Sequence, residues 1–573
     1  MGSDKQMKDV RRSSWTRFAV TVASIIIVSA VLNMLRLRID LTEDKRFTLA
    51  KPTVKILEGL KNDIYIQVYL DGDIPIPLKK LKRSVQDMLE EFRVASDRKI
   101  DYEFINPNGD KDLKKRNTLF ESLERKGLNP ILLHSTDDEG GTTQKKIFPG
   151  MIINYNGAEV PVNFLENNKW ASTDQNILHS VEGLEYQLIQ TISTITADTV
   201  HKVAFLEGDG EFSEQEVADV TWNLHKYFTV DRGRTGGKIG ILDSYTAIII
   251  AGPMREFSEA DKLVIDQYIM KGGKVLWLIN EVAVNADSLA YGSTVGLFHP
   301  LNIEDQLFRY GVRINPLIIQ DIDCDIQRFT VSTGTDQKQT VSAPWLYYPL
   351  LTPNQHHPVT RNLNKVLGRF VNTIDTVGLD PAVKKTILLT SSKQSKTLSP
   401  PTVIMLRESE LAPDENSFTK SNIPVAVLLE GTFTSAFRNR MVGSLVSDPG
   451  YKVRTTSART KMIVVADGDI IRNDLRRSGT NIIPLTLGQN QFTGQIFGNR
   501  DFIVNCINYL ADDNGLMELR SRELKMRLLN RQAVKNGKIR IEVVNILLPV
   551  LVVIAAGIAY SFLRKRKYTR RTS

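Results

Sequence analysis

The sequence predicts an α/β protein in which two terminal transmembrane helices flank an outer region holding a thioredoxin-like α/β domain and a doubly wound, flavodoxin-like parallel-sheet domain. Three observations predict it. Two charge-free stretches, FAVTVASIIIVSAVLNML (18–35) and ILLPVLVVIAAGIAYSFL (546–563), stand at the two ends, each about the minimum that spans ~30 Å of hydrocarbon as a helix. Between them strand-like and helix-like apolar patterns alternate, the signature of strand–helix–strand units. Several strand-like runs, such as TAIIIAGP (246–253) and KVLWLIN (274–280), are apolar almost without a break, as strands buried on both faces are.

The two spans and the charge fix the topology together. The chain has 573 residues, enough for roughly three to five domains, and a net charge of +9. Residues 1–17 carry Lys5, Lys8, Arg11, Arg12 and Arg17 against Asp4 and Asp9, a balance of +3, and RKRKYTRRTS (564–573) carries +6 with no acid. The tails hold the whole excess, which leaves the body without the basic field a nucleic-acid binder needs. Basic residues beside membrane segments mark the cytoplasmic face. Both tails are therefore expected in the cytoplasm and 36–545 outside, on a two-pass membrane protein. Two alternatives exist for the spans: a pair of buried core helices, and for the first a cleavable signal peptide with VSA (28–30) as its cleavage site. The terminal positions argue against the former, and the apolar run continuing to Leu35 against the latter. The segment ELRSRELKMRLLNRQAVKNGKIR (518–540) is also basic and would be outside, but long translocated regions obey the charge rule weakly.

From the first span, RLRIDLTEDKRFTLAKPTVKIL (36–57) reads as a membrane-exit connector in which Thr48 caps a helix running to about Leu60, with Pro52 in its first turn. IYIQVYL (64–70) is a strand, LKKLKRSVQDMLEEF (78–92) a helix with an apolar stripe, IDYEFINP (100–107) a second strand, and GMIINYNGAEVPVNFL (150–165) a hairpin turning at Asn156-Gly157. That order suggests the thioredoxin-like domain, over 36–195. A doubly wound domain follows over 196–517: strand 202–206, a glycine-rich turn, a helix over 213–228, strand 246–253 with a Gly-Pro stop, a helix capped by Ser258, and strand 274–280. Further buried strands are expected at 385–391, 423–431 and 460–469, an irregular insert at about 330–420, and a helix over 500–512. A basic juxtamembrane segment over 518–545 completes the plan.

Candidate chemistry is sparse. EGDGE (207–211) and ADGDIIRND (466–474) both follow buried strands, and in an open parallel sheet the loops at the strand C-termini line the ligand crevice. Gly208, Asp209, Gly210, Glu211, Asp467 and Asp469 are the weak candidates for binding a ligand, against the plainer reading of turn carboxylates and helix caps. Neither loop matches a dinucleotide or Ca²⁺ motif, no G-x-S-x-G or phosphate-binding loop occurs, and the histidines show no ligand spacing. Cys324 and Cys506 form no CxxC, so redox work is not expected. The expectation is no catalytic residue, no metal and no cofactor. In 518–540, mixed apolar and basic positions suit an interfacial segment on membrane lipid, with Arg520, Arg522 and Arg527 as candidate partner contacts.

Several stretches, in order along the chain, carry a resemblance: RIDLTEDKRFTLAKPT (38–53), FLEGDGE (205–211), LFRYGVRINPLIIQDIDC (307–324), HPVTRNLNKV (357–366), PVAVLLEGTFTSAFRNR (424–440) and RSRELKMRLLN (520–530). Together they resemble the gliding-motility-associated ABC transporter auxiliary family of Bacteroidota, the GldG type. Where that family often carries Gly-His-Gly-Glu, Asp209 stands in place of the histidine. The resemblance implies an amidotransferase-like but non-enzymatic outer domain. It also implies partnership with a multi-span ABC permease and a separate cytoplasmic ATPase, in surface gliding and linked secretion. The rival readings are a periplasmic solute-binding receptor and a carboxylate-dependent envelope hydrolase.

Overall fold

In Ile64–Val68 (β1) the alternating residues Ile64, Ile66 and Val68 are buried while Tyr65 is exposed, the period of a strand with one covered face. The structure, a computed structural model, describes residues 15–16, 18–26, 48–136, 142–165, 172–197, 200–332, 338–378, 381–410, 412–443, 445, 451–479, 481–521 and 531–569.

Lys51–Glu58 (α1) opens the first domain. The helix begins with Ala50 at its N-cap and no side-chain cap, not at Thr48 as the sequence suggests. Its first turn is held from a distance: Ala50 N and Thr53 Oγ1 donate to Glu185 Oε1 at 2.8 and 2.7 Å, an anion placed at the positive end of the helix. Ile76–Ala95 (α2) buries Leu78, Leu81, Val85, Leu89 and Phe92 and carries the chain to Ile100–Phe104 (β2), parallel to β1. Leu113–Arg125 (α3) and the hairpin Ile131–Thr136 (β3) with Thr142–Ile147 (β4) lead to a second hairpin, Gly150–Tyr155 (β5) with Ala158–Asn163 (β6). That hairpin turns at Asn156-Gly157 with φ of 49° and 85°, the conformation that favours Asn-Gly. The sheet order is β2-β1-β5-β6, with β5 antiparallel to β1. Thr173–Thr196 (α4), opened by a Ser172/Gln175 capping box, packs on α2.

The second domain is built on one sheet of ten strands. Lys202–Leu206 (β7), Thr229–Gly233 (β8), Ala247–Ala251 (β9), Lys274–Leu278 (β10) and Thr460–Val465 (β22) run parallel in the order β8-β7-β9-β10-β22. Their side chains feed two cores. Val203, Phe205, Ile249 and Leu276 pack with Ala218–Leu224 (α5) and Asn499–Ala511 (α8) on one face. Ile248, Ile250, Val275 and Trp277 pack with Glu259–Met270 (α6) on the other. Helices on both faces explain the continuous apolar runs.

Two expectations change here. Val383–Thr390 (β18) and Pro424–Gly431 (β21), expected among the parallel strands, extend the sheet antiparallel beyond β22. A parallel return needs a crossover, usually a helix, and none lies between β21 and β22 among the described residues. The 330–420 region, expected to be irregular, is rich in strands: Lys338–Pro353 (β15) pairs with Cys324–Ser332 (β14), Val366–Leu367 (β16) and β18. Pro344, Pro349 and Pro353 within β15 break the usual strand pattern. Small sheets complete the domain, one of Val282–Val284 (β11), Ser293–Phe298 (β12) and Thr402–Met405 (β20), another of Asn372–Thr376 (β17), Val312–Asp321 (β13) and Ser395–Leu398 (β19), beside Glu304–Tyr310 (α7).

After α8 the short 3₁₀ turn Leu516–Ser521 inserts Leu516, Met517 and Leu519 into the core of the first domain. Residues 523–573 form a separate unit containing Arg531–Thr569 (α9). Within it, the 25 residues Glu542–Arg566, exposed throughout, are long and apolar enough to cross a membrane, and among the described residues no other helix is. Residues 18–26 are helical and exposed. The remainder of the expected first span, 27–35, and the connector up to 47 lie outside the described residues.

Candidate functional site

β7, β9, β10 and β22 end at one edge of the sheet, and the loops leaving them carry all six residues singled out as ligand candidates. After β7, Gly208 and Gly210 adopt φ of 142° and 81°, which glycine reaches without a Cβ penalty. The turn they form is clamped to the loop after β9: Met254 N and Arg255 N both donate to Asp209 O at 2.8 Å, and Arg255 Nη2 donates to Gly208 O at 2.7 Å. Asp209 N donates to Glu211 Oε2 at 2.8 Å, while Glu211 Oε1 is buried with no hydrogen-bond partner among the described residues. Burial, then the neighbouring Glu211 and Asp261, lift the Asp209 carboxyl to about 6 against the pull of Arg255 and Arg234. Burial likewise raises Glu211, against the backbone N–H groups it faces. Glu207 pairs with Arg232 at 2.7 Å, and Arg232 Nη2 donates to Phe212 O.

After β22, Asp467 is fully buried. Its Oδ2 accepts from Arg369 N at 3.1 Å, and its Oδ1 has no hydrogen-bond partner among the described residues. Burial and then Asp469 push its carboxyl well above the usual range, against the pull of Arg369. Gly468 N donates to Asn280 Oδ1 at 2.9 Å, and Asn280 Nδ2 donates to Asp469 Oδ2 at 3.0 Å, which ties this loop to the end of β10. Arg472 joins the two halves: it pairs with Glu216 at 2.8 Å and with Asp469 at 3.4 Å, and lies 5.1 Å from the Phe212 ring centroid.

The loops after β9 and β22 close over the end of β10. A Cβ on Gly468 would lie 2.9 Å from Gly252 Cα, and one on Gly252 would strike the Phe212 ring at 2.4 Å. The two predicted loops are therefore brought together through Gly252 and Phe212, but their carboxylates do not converge on an open cleft. Asp467 faces the interior, Glu211 is spent partly on its own turn, and Asp469 is mostly covered and held by Asn280 and Arg472. Among the described residues no group of three or more His, Cys, Asp or Glu side chains is placed to hold a metal ion. Both cysteines are free thiols, Cys506 in the core.

Sequence reasoning missed Asn280, Gly252 and Arg369. Asn280 ends an evident parallel strand, and that position alone was a signal. Arg369, which pairs with Asp474 at 2.8 Å, comes from the proline-interrupted region and had none. Of the partner-contact candidates, Arg520 is engaged inside the chain. Its Nη1 donates to Asn505 Oδ1, its Nη2 to Arg361 O at 3.4 Å, and its guanidinium lies 5.6 Å from the Tyr186 ring centroid. Arg522 and Arg527 lie outside the described residues.

Comparison with known proteins follows this division. A family described as "ABC-type uncharacterized transport system" matches residues 201–506, from the start of β7 into α8, and a domain of unknown function matches 43–154. A Borreliella burgdorferi protein described as "Uncharacterized protein" is 21% identical over 561 residues, covering 95% of this chain and 96% of its own. Among solved structures, the mmIFT52 N-terminal domain aligns with a TM-score of 0.31 and 13% identity, over 55% of this chain and 98% of that one. With more than half of its length, including the ten-stranded sheet, matched by that family, the chain belongs to the ABC-type uncharacterized transport system family.

Proposed function

We propose that the chain is a non-enzymatic, membrane-anchored accessory subunit of an ABC-type transport complex, acting by binding and mechanical coupling. The family match across 201–506 carries this reading. The closed sheet edge supports the non-enzymatic part, since the position where doubly wound folds hold ligands is filled here by Gly252 against Gly468. The strand order β2-β1-β5-β6 supports a thioredoxin-like first domain, and β8-β7-β9-β10-β22 a flavodoxin-like, amidotransferase-related second one. In this reading 18–35 and 546–563 both cross the inner membrane, the tails face the cytoplasm, and 36–545 stands in the periplasm. The partners are a multi-span permease and a separate cytoplasmic ATPase, with Arg522 and Arg527 near the permease. The process served is gliding motility and its linked secretion, by the resemblance in sequence.

Affinity purification of the tagged full chain in mild detergent, with mass spectrometry, tests this. The expected result is recovery of a permease and an ATPase in comparable amounts. Recovery of neither, from cells that express both, overturns the reading.

A further inference from the structure

Tyr186 and Gln187 sit on the face of α4 that meets the second domain, and both carry a buried polar atom without a partner. Tyr186 is 5% exposed, and among the described residues its hydroxyl and Gln187 Oε1 have no hydrogen-bond partner. Burial raises the Tyr186 phenol, so it stays a hydrogen-bond donor. Both residues line a cavity of about 340 Å³ between α4, the end of α5 and α8. Its wall is dense in amides, including Gln190, Asn223, Asn362, Asn505 and Asn508. A smaller cavity of about 150 Å³ adjoins it, sharing Tyr186, Gln190, Tyr227 and Asn508.

The charge of this wall is lopsided. Lys226, Arg500 and Arg520 line it against one carboxylate, Asp501, which is 70% exposed. Lys226 Nζ donates to Asn223 Oδ1 at 2.9 Å, and Arg520 donates to Asn505 Oδ1 and to the Arg361 carbonyl, all neutral oxygens. Arg500 reaches Asp219 at 3.6 Å and Asp501 at 3.9 Å, both at the long end for an ion pair, which leaves Lys226 and Arg520 as the cations with neutral oxygens for partners. A purely structural seam would be expected to match its cations with carboxylates or to be apolar. A wall of amides, a phenol and cations instead complements a ligand that has both hydroxyl groups and a negative charge. The volume lies at the lower end of the ordinary range for small-molecule sites.

We propose that this cavity binds a small hydroxyl-rich anion, a sugar acid or sugar phosphate, with its charged group against Lys226 and Arg500 and its hydroxyls against Tyr186 and the amides of α4 and α8. The site is separate from the sheet edge that carries Asp209 and Asp467, and it stands whether or not a transporter co-purifies. Because it joins α4 to α8, occupancy ties the two domains together. The test is thermal unfolding and titration calorimetry on the detergent-solubilised full chain. The probes are glucuronate, glucose 6-phosphate, glucose and inorganic phosphate.

A saturable rise in Tm of a few degrees with either sugar anion is expected, and the tighter of the two identifies carboxylate or phosphate as the charged group. Tyr186→Phe, which keeps the ring beside Arg520, and Lys226→Gln should each weaken that binding about tenfold while leaving the unliganded Tm near wild type. No binding by either sugar anion, an equal response to glucose or to phosphate alone, or unchanged binding in both variants overturns the proposal.

Discussion

Glu281, the residue after Asn280, is 4% exposed, and burial, then Glu304, lifts its carboxyl to about 8 against the pull of Arg313. An unfolded glutamate releases its proton near pH 4.5, so between about pH 4.5 and 8 the native state holds a proton that the unfolded state has lost. Stability therefore falls as pH rises through that window. Glu281→Gln removes the titration and keeps the shape. The variant should match wild type near pH 5 and exceed it near pH 8 by roughly a few kcal/mol, read as a rise in the denaturation midpoint in urea. Equal pH profiles for the two proteins would refute the assignment. Such a residue is invisible in sequence, because KVLWLINE shows a strand end but not that the carboxylate will be enclosed by the β13 region and α7. Asp467 is the same case: ADGDII reads as a turn, while its enclosure depends on Arg369, about a hundred residues away in sequence.

At the scale of the element, what was legible was what is local. β7, β9 and β10 declared themselves because burial on both faces leaves an unbroken apolar run, and α2 because its stripe recurs with helical spacing. β8 was not, since TVDRG is a sheet-edge strand without a fully buried residue. The 516–521 turn was not either: ELRSREL reads as the start of a basic helix, yet Leu516, Met517 and Leu519 complete the core built by α1, α2 and α4. Met517, 1% exposed, tests that role. Met517→Ala should cost about 2–5 kcal/mol and lower the unfolding midpoint of the first domain, monitored by proteolysis within 48–197. An unshifted midpoint would mean that the turn rests on the domain without supporting it.

For the whole molecule, the membrane and the partners are the matters that sequence and family speak to most directly, and localisation is the one most simply measured. Glu542–Arg566 spans about 37 Å as a helix at 1.5 Å per residue, more than the ~30 Å hydrocarbon layer. If 18–35 is a second span, deleting 542–573 alone should leave the chain in the carbonate-washed membrane pellet. Deleting 1–35 as well should release it to the soluble fraction. Release by the first deletion alone would show that the N-terminal segment is not an anchor. The order of the strands β7, β9 and β10 along the chain was readable, whereas the sense of β18 and β21 was not, because burial reports neighbours on the faces of a strand and says nothing of its direction.

The place of β22 in the sheet has a consequence for biosynthesis. Val275 of β10 pairs with Met462, so the strand that covers the β10 edge leaves the ribosome long after β10 does. At ~5–20 residues per second, the edge of β10 waits roughly ten to forty seconds, with its N–H and C=O groups and apolar faces unmatched. The first domain waits longer still, for Leu516–Leu519. A nascent chain of this design presents two unfinished cores until residues 516–519 have been made, so the apolar faces of both stay uncovered for most of synthesis.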